Sequence, residues 1–375
     1  MVRLWHGIGG PIGAAVQAQA ERFNAEQADI RVEPTLHRGY GGTLNAFRAA
    51  AAAGDPPEIA IMEVHWVVPL AASGLTAPLD ELIAGDTQFN PDDLFEPMLH
   101  GLRWQGKLYG LPVTRSTFVL YCNKQRFEEA GLDPDKPPKT WTEFRVAARK
   151  LTPADTAGGQ YGFAAQANAW QFESLVYGAG GQLVSKDGKR AEFVVAGAQP
   201  IQLWANMIHL DKTARLAGRE AFLRGEAAML IESTALLTSF EGVVTDFKVG
   251  TTMVPTVEGQ KPGVVMGGGV AVLPAKLSPE KQQATWTFLT SMVASEHTAE
   301  LSRRTGYVPV RKSGVELLKK EGFYEQRPGF LTAVEQAAYG REIPASPSWP
   351  LRASATSVSR SIAALRARLK GALFS

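Results

Sequence analysis

Cysteine is almost absent: the 375-residue chain has one, Cys122. A single thiol can neither close an internal disulfide nor furnish a multi-cysteine metal site. A lone Cys in an apolar stretch reads as a small buried core residue, and no His stands near it to make it a nucleophile. Cysteine poverty is in keeping with an oxidising compartment. Long hydrophobic runs are missing too. No stretch of about 18 apolar residues occurs, which leaves no segment to span a bilayer as a helix. Neither sign of charge dominates, with 39 basic and 37 acidic residues and a formal net charge of +2. That balance gives no reason to expect nucleic acid or a membrane surface as the main partner. HExxH, CxxC, P-loop and GxSxG motifs are all lacking. The glycines Gly7, Gly9 and Gly10 approach a dinucleotide fingerprint, but Pro11 breaks it. The six histidines, His6, His37, His65, His100, His209 and His297, show no ligand pair at i, i+3 or i+4. These absences weigh against an enzyme and against a bound metal or cofactor, although general-acid carboxylates leave no motif. Internal repeats and low-complexity linkers are also missing.

What is present fits an ordinary globular chain, 45% apolar and 20% charged. At about 100–200 residues per domain, its length suggests two domains. The first 85 residues alternate strand and helix. Val2–His6 reads as a strand, Ile12–Glu26 as a helix with Val16, Ala20 and Phe23 at helical spacing, and Ile30–Leu36 as a second strand. Leu44–Ala53 reads as an Ala-rich helix stopped by Gly54, and Glu58–Val64 as a third strand. Such alternation predicts parallel pairing in a right-handed α/β unit, with ligands at the carboxyl ends of the strands. Trp5-His6, Tyr40 and Glu63-Val64-His65 all fall at or just after strand ends.

Gly101–Thr117 changes character and reads as a crossing between lobes, followed by a strand at Thr117–Cys122. Thr140-x-x-Glu143 is a capping box opening a helix at Trp141–Leu151. Further helices are expected at Trp170–Gly178, Gln199–Leu210 and Arg219–Met229. Strands are expected at Lys248–Val254 and Val264–Val272, around Gly267-Gly268-Gly269. Those glycines either bring backbone N–H groups close to an anion or mark a tight bend. Ser278-Pro279-Glu280 opens a long helix with Ser as N-cap and Pro at its first position. Ala353–Leu369 reads as a basic amphipathic helix, more simply a solvated face packed on a lobe than a membrane binder.

Three stretches resemble a known family. Leu120-Tyr-Cys-Asn-Lys124 through Phe127-Glu-Glu-Ala-Gly131-Leu-Asp-Pro134 and Pro137-Pro-Lys-Thr-Trp141 resembles "YYNKxxFxxAGL…PPKTW". Phe222–Met229 resembles "FxxGxxAM". Thr305-Gly-Tyr-Val-Pro-Val310 with Glu321-Gly-Phe-Tyr-Glu325 resembles "TGYxP" and "GFYE". These are motifs of the extracellular solute-binding proteins of ABC importers, the maltose-binding type, and within it of the glycerol-3-phosphate and glycerophosphodiester binders. The resemblance covers nearly the whole chain. It implies an α/β architecture of the type II periplasmic-binding-protein kind, with two lobes joined by a hinge and a discontinuous chain. The expected division is residues 1–110 with 252–305 in the N-terminal lobe, and 111–251 with 306–375 in the C-terminal lobe. The ligand would lie in the cleft, with no cofactor and no catalysis. The protein would act as a monomer that delivers its ligand to the permease and ATPase subunits of the importer. Its expected location is periplasmic or at the exterior of the cell envelope. The start MVRLWHGIGG carries no secretory leader, so the sequence is expected to be a mature form behind an added Met.

The resemblance also implies a set of ligand contacts. Tyr40 and Glu63 match the glycerol end, where a carboxylate accepts from vicinal hydroxyls and a Tyr offers its OH and its face. Ser116, Ser233 (or Thr234 in an alternative register), Gly268 and Tyr307 match phosphate contacts. Arg352 matches the arginine that meets the phosphate with its planar fork. Trp170 matches an aromatic wall, with a core aromatic as the bland reading. The family has more than one Trp in this region, so the single one here leaves room for a larger head group, such as that of glycerophosphocholine. A sugar or oligosaccharide binder of the same fold is the nearest alternative. A hydrolase on the same scaffold and a structural, adhesin-like protein are more distant.

Overall fold

The computed structural model describes residues 1–155, 159–185 and 190–342. Two five-stranded sheets organise the chain. The first runs in the order Val32–Leu36, Val2–His6, Ile59–Glu63, Gly267–Val272, Leu111–Ser116. Its first three strands pair parallel, and Gly267–Val272 pairs antiparallel with both of its neighbours. The second runs Val249–Thr252, Phe118–Asn123, Ala227–Ser233, Tyr161–Ala165, Ala214–Leu216. Here the last three pair parallel and the first two join antiparallel. Read from its Ala214–Leu216 end, the second sheet therefore repeats the order and sense of the first. The repeat lies in topology alone, because a buried strand demands only apolar residues on its faces, and many sequences supply them.

The α/β reading of the first 85 residues holds. The structure shows helices at Gly10–Glu26 and Gly39–Ala53 between strands Val2–His6, Val32–Leu36 and Ile59–Glu63. Gly54 caps the second helix in the left-handed conformation, φ 80°, as the stop predicted from Gly requires. The capping box is present: Thr140 accepts from the Glu143 N–H and Glu143 accepts from the Thr140 N–H. Ser278 caps the Pro279–Met292 helix.

Several expectations are corrected. Arg219–Met229 is not one helix. The helix ends at Leu223, Gly225 takes φ 71°, and Ala227–Ser233 is a strand buried along all but its last residue. The Ala-Ala-Met run is as good a central strand as a helix, and only the surrounding sheet decides. The helix expected from Gln199 starts at Phe193 and carries Pro200 in its interior. Two lobe boundaries also move. Leu111–Ser116 belongs to the first sheet, so the chain crosses at Thr117, not at Gly110. Residues just after Thr305 stay with the first lobe. The Lys312–Lys320 helix packs on the Ser295–Thr305 helix, and Arg311 donates to Asn90 O at 3.2 Å and to Asp93 Oδ2 at 3.2 Å. Further along, the Pro328–Ala337 helix packs on Val249–Thr252 and Phe118–Asn123 of the second sheet. The tail helix expected at Ala353–Leu369 lies outside the described residues.

Both sheets are covered on both faces. Cys122 faces a second-lobe cluster with Trp141, Phe144, Phe163 and Trp204. Burial pushes its thiol well above the usual range, which makes it an inert core residue. A second cluster joins the lobes: Val176 and Leu183, which follow the second sheet's Tyr161–Ala165, pack with Leu44, Phe47 and Met62 of the first.

Under the first sheet, Glu58 is 1% exposed and holds Arg3 Nε at 3.0 Å and Lys281 Nζ at 2.6 Å. Burial opposes its charge, but these two cations outweigh it and bring the carboxyl down to about 2. The folded value lies below the unfolded one, so this contribution is fully present above pH ~4.5 and is lost as the pH falls toward 2. It amounts to roughly 3 kcal/mol. Glu58→Gln should lower the midpoint of urea unfolding at pH 7, and the gap to wild type should narrow on acidification from pH 5 to pH 3.

Candidate functional site

The two sheets meet where the chain crosses, and backbone register brings the predicted residues together. In the first sheet Glu63 stands opposite Gly269, Gly269 opposite Thr114, Gly268 opposite Arg115 and Gly267 opposite Ser116. One residue further, Thr117 O accepts from Thr234 N at 2.8 Å, and Ser233 stands opposite Phe118 in the second sheet. Val308 N donates to Arg115 O at 2.9 Å, which carries Tyr307 to the same place. Glu63, Gly268, Ser116, Ser233 and Tyr307 therefore converge within a few residues of the crossing. Tyr40 joins them through its side chain.

The glycine triplet is what permits this. At Gly268, with φ 96°, an added Cβ would stand 1.9 Å from Thr114 O. At Gly269 it would stand 2.5 Å from Thr114 Oγ1 and 3.0 Å from the Tyr40 hydroxyl, and at Gly267 it would meet the Trp170 ring at 2.4 Å. The triplet is thus a close-packing device as well as a source of N–H groups, and Gly269 N itself donates to Thr114 Oγ1 at 3.0 Å.

Each lobe ends its central strand in the same corner. Ile59–Glu63 runs into a 3-10 turn at Val64–Trp66, and Ala227–Ser233 into one at Thr234–Leu236. The corner residues have near-identical backbone angles, φ −65°, ψ 141° at Glu63 and φ −61°, ψ 138° at Ser233. The first lobe presents a carboxylate there and the second a hydroxyl. This geometry separates Ser233 from Thr234. Ser233 Oγ accepts from Ala235 N at 3.2 Å and is partly exposed, whereas Thr234 is fully buried and its Oγ1 accepts from Thr117 N at 3.3 Å.

Tyr40 and Tyr307 approach each other beside Thr114. Burial, above all, pushes both phenols up, so both stay protonated donors. The Tyr40 hydroxyl is buried without a well-formed hydrogen bond. Tyr307 also packs with Ala15 of the first lobe and Ala235 of the second. Trp170, at the start of the Ala169–Gly178 helix, stacks on Phe118 with ring centroids 3.9 Å apart and donates its indole N–H to Val265 O at 2.9 Å. It is partly exposed and packs against two core clusters. Arg352 lies outside the described residues.

Glu173 and Arg115 escaped sequence reasoning, and His65 was marked only by its place at a strand end. His65 lies between Glu63 Oε1 at 3.6 Å and Glu173 Oε2 at 3.2 Å. Burial opposes its charge, but the two carboxylates overcome it and push the imidazole up to about 10, while the same contact holds Glu63 below its usual range. Glu173 lies 108 residues away from His65, so no local signal could have paired them. Arg115 is fully buried, with one hydrogen bond, Nη2 to His100 O at 3.3 Å, and no partner for Nε or Nη1. Burial pulls it down to about 9, against the attraction of Tyr40 and Glu342. Its signal, a lone Arg before Ser116, looks like any surface cation. Trp5 and His6 stay near the strand end, Trp5 against His37 with centroids 4.7 Å apart and His6 buried. Among the described residues no group of His, Cys, Asp or Glu could hold a metal ion.

Two α/β lobes of matching topology, each ending its central strand in a polar corner near the chain crossing, define a two-lobed architecture. Residues 18–331 match the family of bacterial extracellular solute-binding proteins, and the chain belongs to that family as the solute-binding component of an ABC importer, which works with permease and ATPase partners. It is 30% identical over 355 residues to the sn-glycerol-3-phosphate-binding periplasmic protein UgpB of Escherichia coli K12, covering 89% of this chain and 80% of that one. Its fold matches UgpB from Mycobacterium tuberculosis in complex with glycerophosphocholine, with a TM-score of 0.85, 24% identity and coverage of 99% and 98%. It also matches the cyclic α-maltosyl-1,6-maltose binding protein from Arthrobacter globiformis, with a TM-score of 0.82, 26% identity and coverage of 97% and 93%. These relatives are binding proteins. No helix among the described residues is long and apolar enough to cross a membrane.

Gly268→Ala should separate the two antiparallel strands at the crossing. The left-handed conformation alone costs about 1–2 kcal/mol for a residue with a Cβ, before the clash with Thr114 O. Urea unfolding should show at least that loss. A variant as stable as wild type would mean that the strands can part freely here.

Proposed function

We propose that this protein captures glycerol-3-phosphate, and glycerophosphodiesters such as glycerophosphocholine, in the cleft at the chain crossing. The observation that supports this reading is the pair of matching strand-end corners, a carboxylate at Glu63 and a hydroxyl at Ser233, with Ser116, Gly268 and Tyr307 indexed to the same chain crossing. Glu63 and Tyr40 take the glycerol hydroxyls, since an ionised carboxylate accepts from two vicinal OH groups and a protonated phenol donates. Ser116, Ser233, Gly268 N and Tyr307 donate to the phosphate, and Arg352 supplies a bidentate charge. Trp170, tilted against Phe118 and close to the Gly267 backbone, offers a ligand little open ring surface. That suits a three-carbon ligand better than an oligosaccharide, which uses several open aromatic platforms.

Binding proceeds by closure. Contacts drawn from both lobes exist together only in the closed form, and that difference in affinity shifts the population toward it. Each charge-assisted hydrogen bond to phosphate contributes on the order of 1.5–3 kcal/mol, offset by desolvation and ordering. The closed form then docks on the permease.

A thermal-shift panel with glycerol-3-phosphate, glycerophosphocholine, maltose, trehalose and inorganic phosphate tests this. A ligand present at 100 times its Kd stabilises the fold by about 2.7 kcal/mol. The glycerol phosphates should shift the melting point and the disaccharides should not. A shift with a disaccharide alone would turn the reading to an oligosaccharide binder, and calorimetry giving tight monoester binding without heat from any diester would exclude the larger head group. Arg352→Ala should weaken phosphate-bearing ligands at least about tenfold, the loss of one charge-assisted contact, and unchanged affinity would remove Arg352 from the site. Ser233→Ala should weaken binding with little change in stability, while Thr234→Val should do the reverse.

A further inference from the structure

The proposed ligand contacts make no use of His65, yet it is the most constrained titratable group at the cleft. Its side chain is 12% exposed and lies between Glu63 on its own corner and Glu173 on the Ala169–Gly178 helix. Glu173 itself is 4% exposed. The titratable groups facing His65 are these two carboxylates; Tyr177, one turn further along the helix, faces Glu173, and Tyr40 faces Glu63. That helix also carries Trp170, and it follows the second sheet's strand Tyr161–Ala165. The contact therefore ties the first lobe's carboxylate corner to the element that brings the aromatic wall.

We propose that His65 is a positioning residue for ligand binding: clamped to Glu173, it holds the Glu63 carboxylate ionised and aimed at the cleft, and so sets the preference for ligands that present vicinal hydroxyls at that end. The proposal rests on the glycerol-phosphate reading for the ligand but not for the state of Glu63. Glu63 is partly withdrawn from water, and burial alone would raise its pKa toward the working pH. A neutral carboxyl would accept fewer hydrogen bonds and would offer a donor where the ligand also offers donors. The imidazolium prevents this. Its own proton is secure, since a group pushed up to about 10 stays charged well above neutral pH. Wild-type Glu63 is accordingly ionised throughout the range in which an ordinary His would switch.

The test compares wild type, His65→Gln and His65→Gln/Glu173→Gln. The double variant removes the buried acid that the single variant strands, and so guards against simple misfolding. Calorimetric titration with glycerol-3-phosphate from pH 8 to pH 5 gives the ratio of variant to wild-type Kd, in which the ligand's own titration cancels. The ratio should rise as the pH falls, since each unit by which the pKa of Glu63 rises above the working pH costs up to about tenfold in affinity. A ratio above one but flat with pH would make His65 merely structural and overturn the proposal. In the unliganded protein, the carbon-13 carboxyl signal of Glu63, identified by its loss in Glu63→Gln, should titrate below the usual range in wild type and move upward in both variants. Equal midpoints would overturn the proposal whether or not glycerol-3-phosphate binds. Absence of wild-type binding alone would sink only the ligand reading.

Discussion

Antiparallel pairing between Leu111–Ser116 and Gly267–Val272 is the constraint on which the rest of the molecule depends. These two strands close the first sheet and leave it side by side at the cleft, where one continues through Thr117 into the second lobe. They lie close enough only because three successive residues lack side chains, one of them with φ 96°. Everything that faces the cleft is indexed to this pairing: Glu63 opposite Gly269, Ser116 opposite Gly267, Tyr307 next to the bond from Val308 to Arg115. A site so built is precise because backbone hydrogen bonds, not long side chains, fix the relative positions of its parts.

The electrostatics of the site follow from the same geometry. Each lobe sends its central strand into a 3-10 corner, and the corner residue is delivered to the cleft with nearly the same backbone angles in both. What differs is the chemistry placed there. The first corner is acidic, stabilised by a histidine that is itself held by a second acid. The second offers the hydroxyl of Ser233, a residue whose own N–H is donated to Glu232 Oε1 at 2.8 Å. Buried charge is costly unless paired. Glu63 with His65 and Glu58 with Arg3 and Lys281 obey that rule. Arg115 departs from it in two of its three nitrogens.

Much of this was legible in the residues. Strand–helix alternation, the stop at Gly54, the Thr140–Glu143 capping box and the Ser278 cap are local, because a helix terminus is decided by hydrogen bonds within one turn. The motif resemblance named most of the residues that the pairing brings together. The departures are of one kind. Pattern alone reads Arg219–Met229 as a helix, and the resemblance places the lobe boundaries at Gly110 and Thr305, whereas sheet membership depends on which distant strand a segment meets.

The sequence by itself determined the two-domain α/β class, the element order of the first 85 residues, the inert role of Cys122 and the candidate contacts at Tyr40, Glu63, Ser116, Ser233, Gly268 and Tyr307. Only the tertiary structure decided that Ser233 is partly exposed while Thr234 is buried, that Trp170 packs against Phe118, and that His65 lies between Glu63 and Glu173. The reason is physical. Capping and periodicity act over a few residues along the chain, whereas burial and charge pairing act over a few ångströms in space. Contacts 108 residues apart, such as His65 with Glu173, have no imprint on local composition.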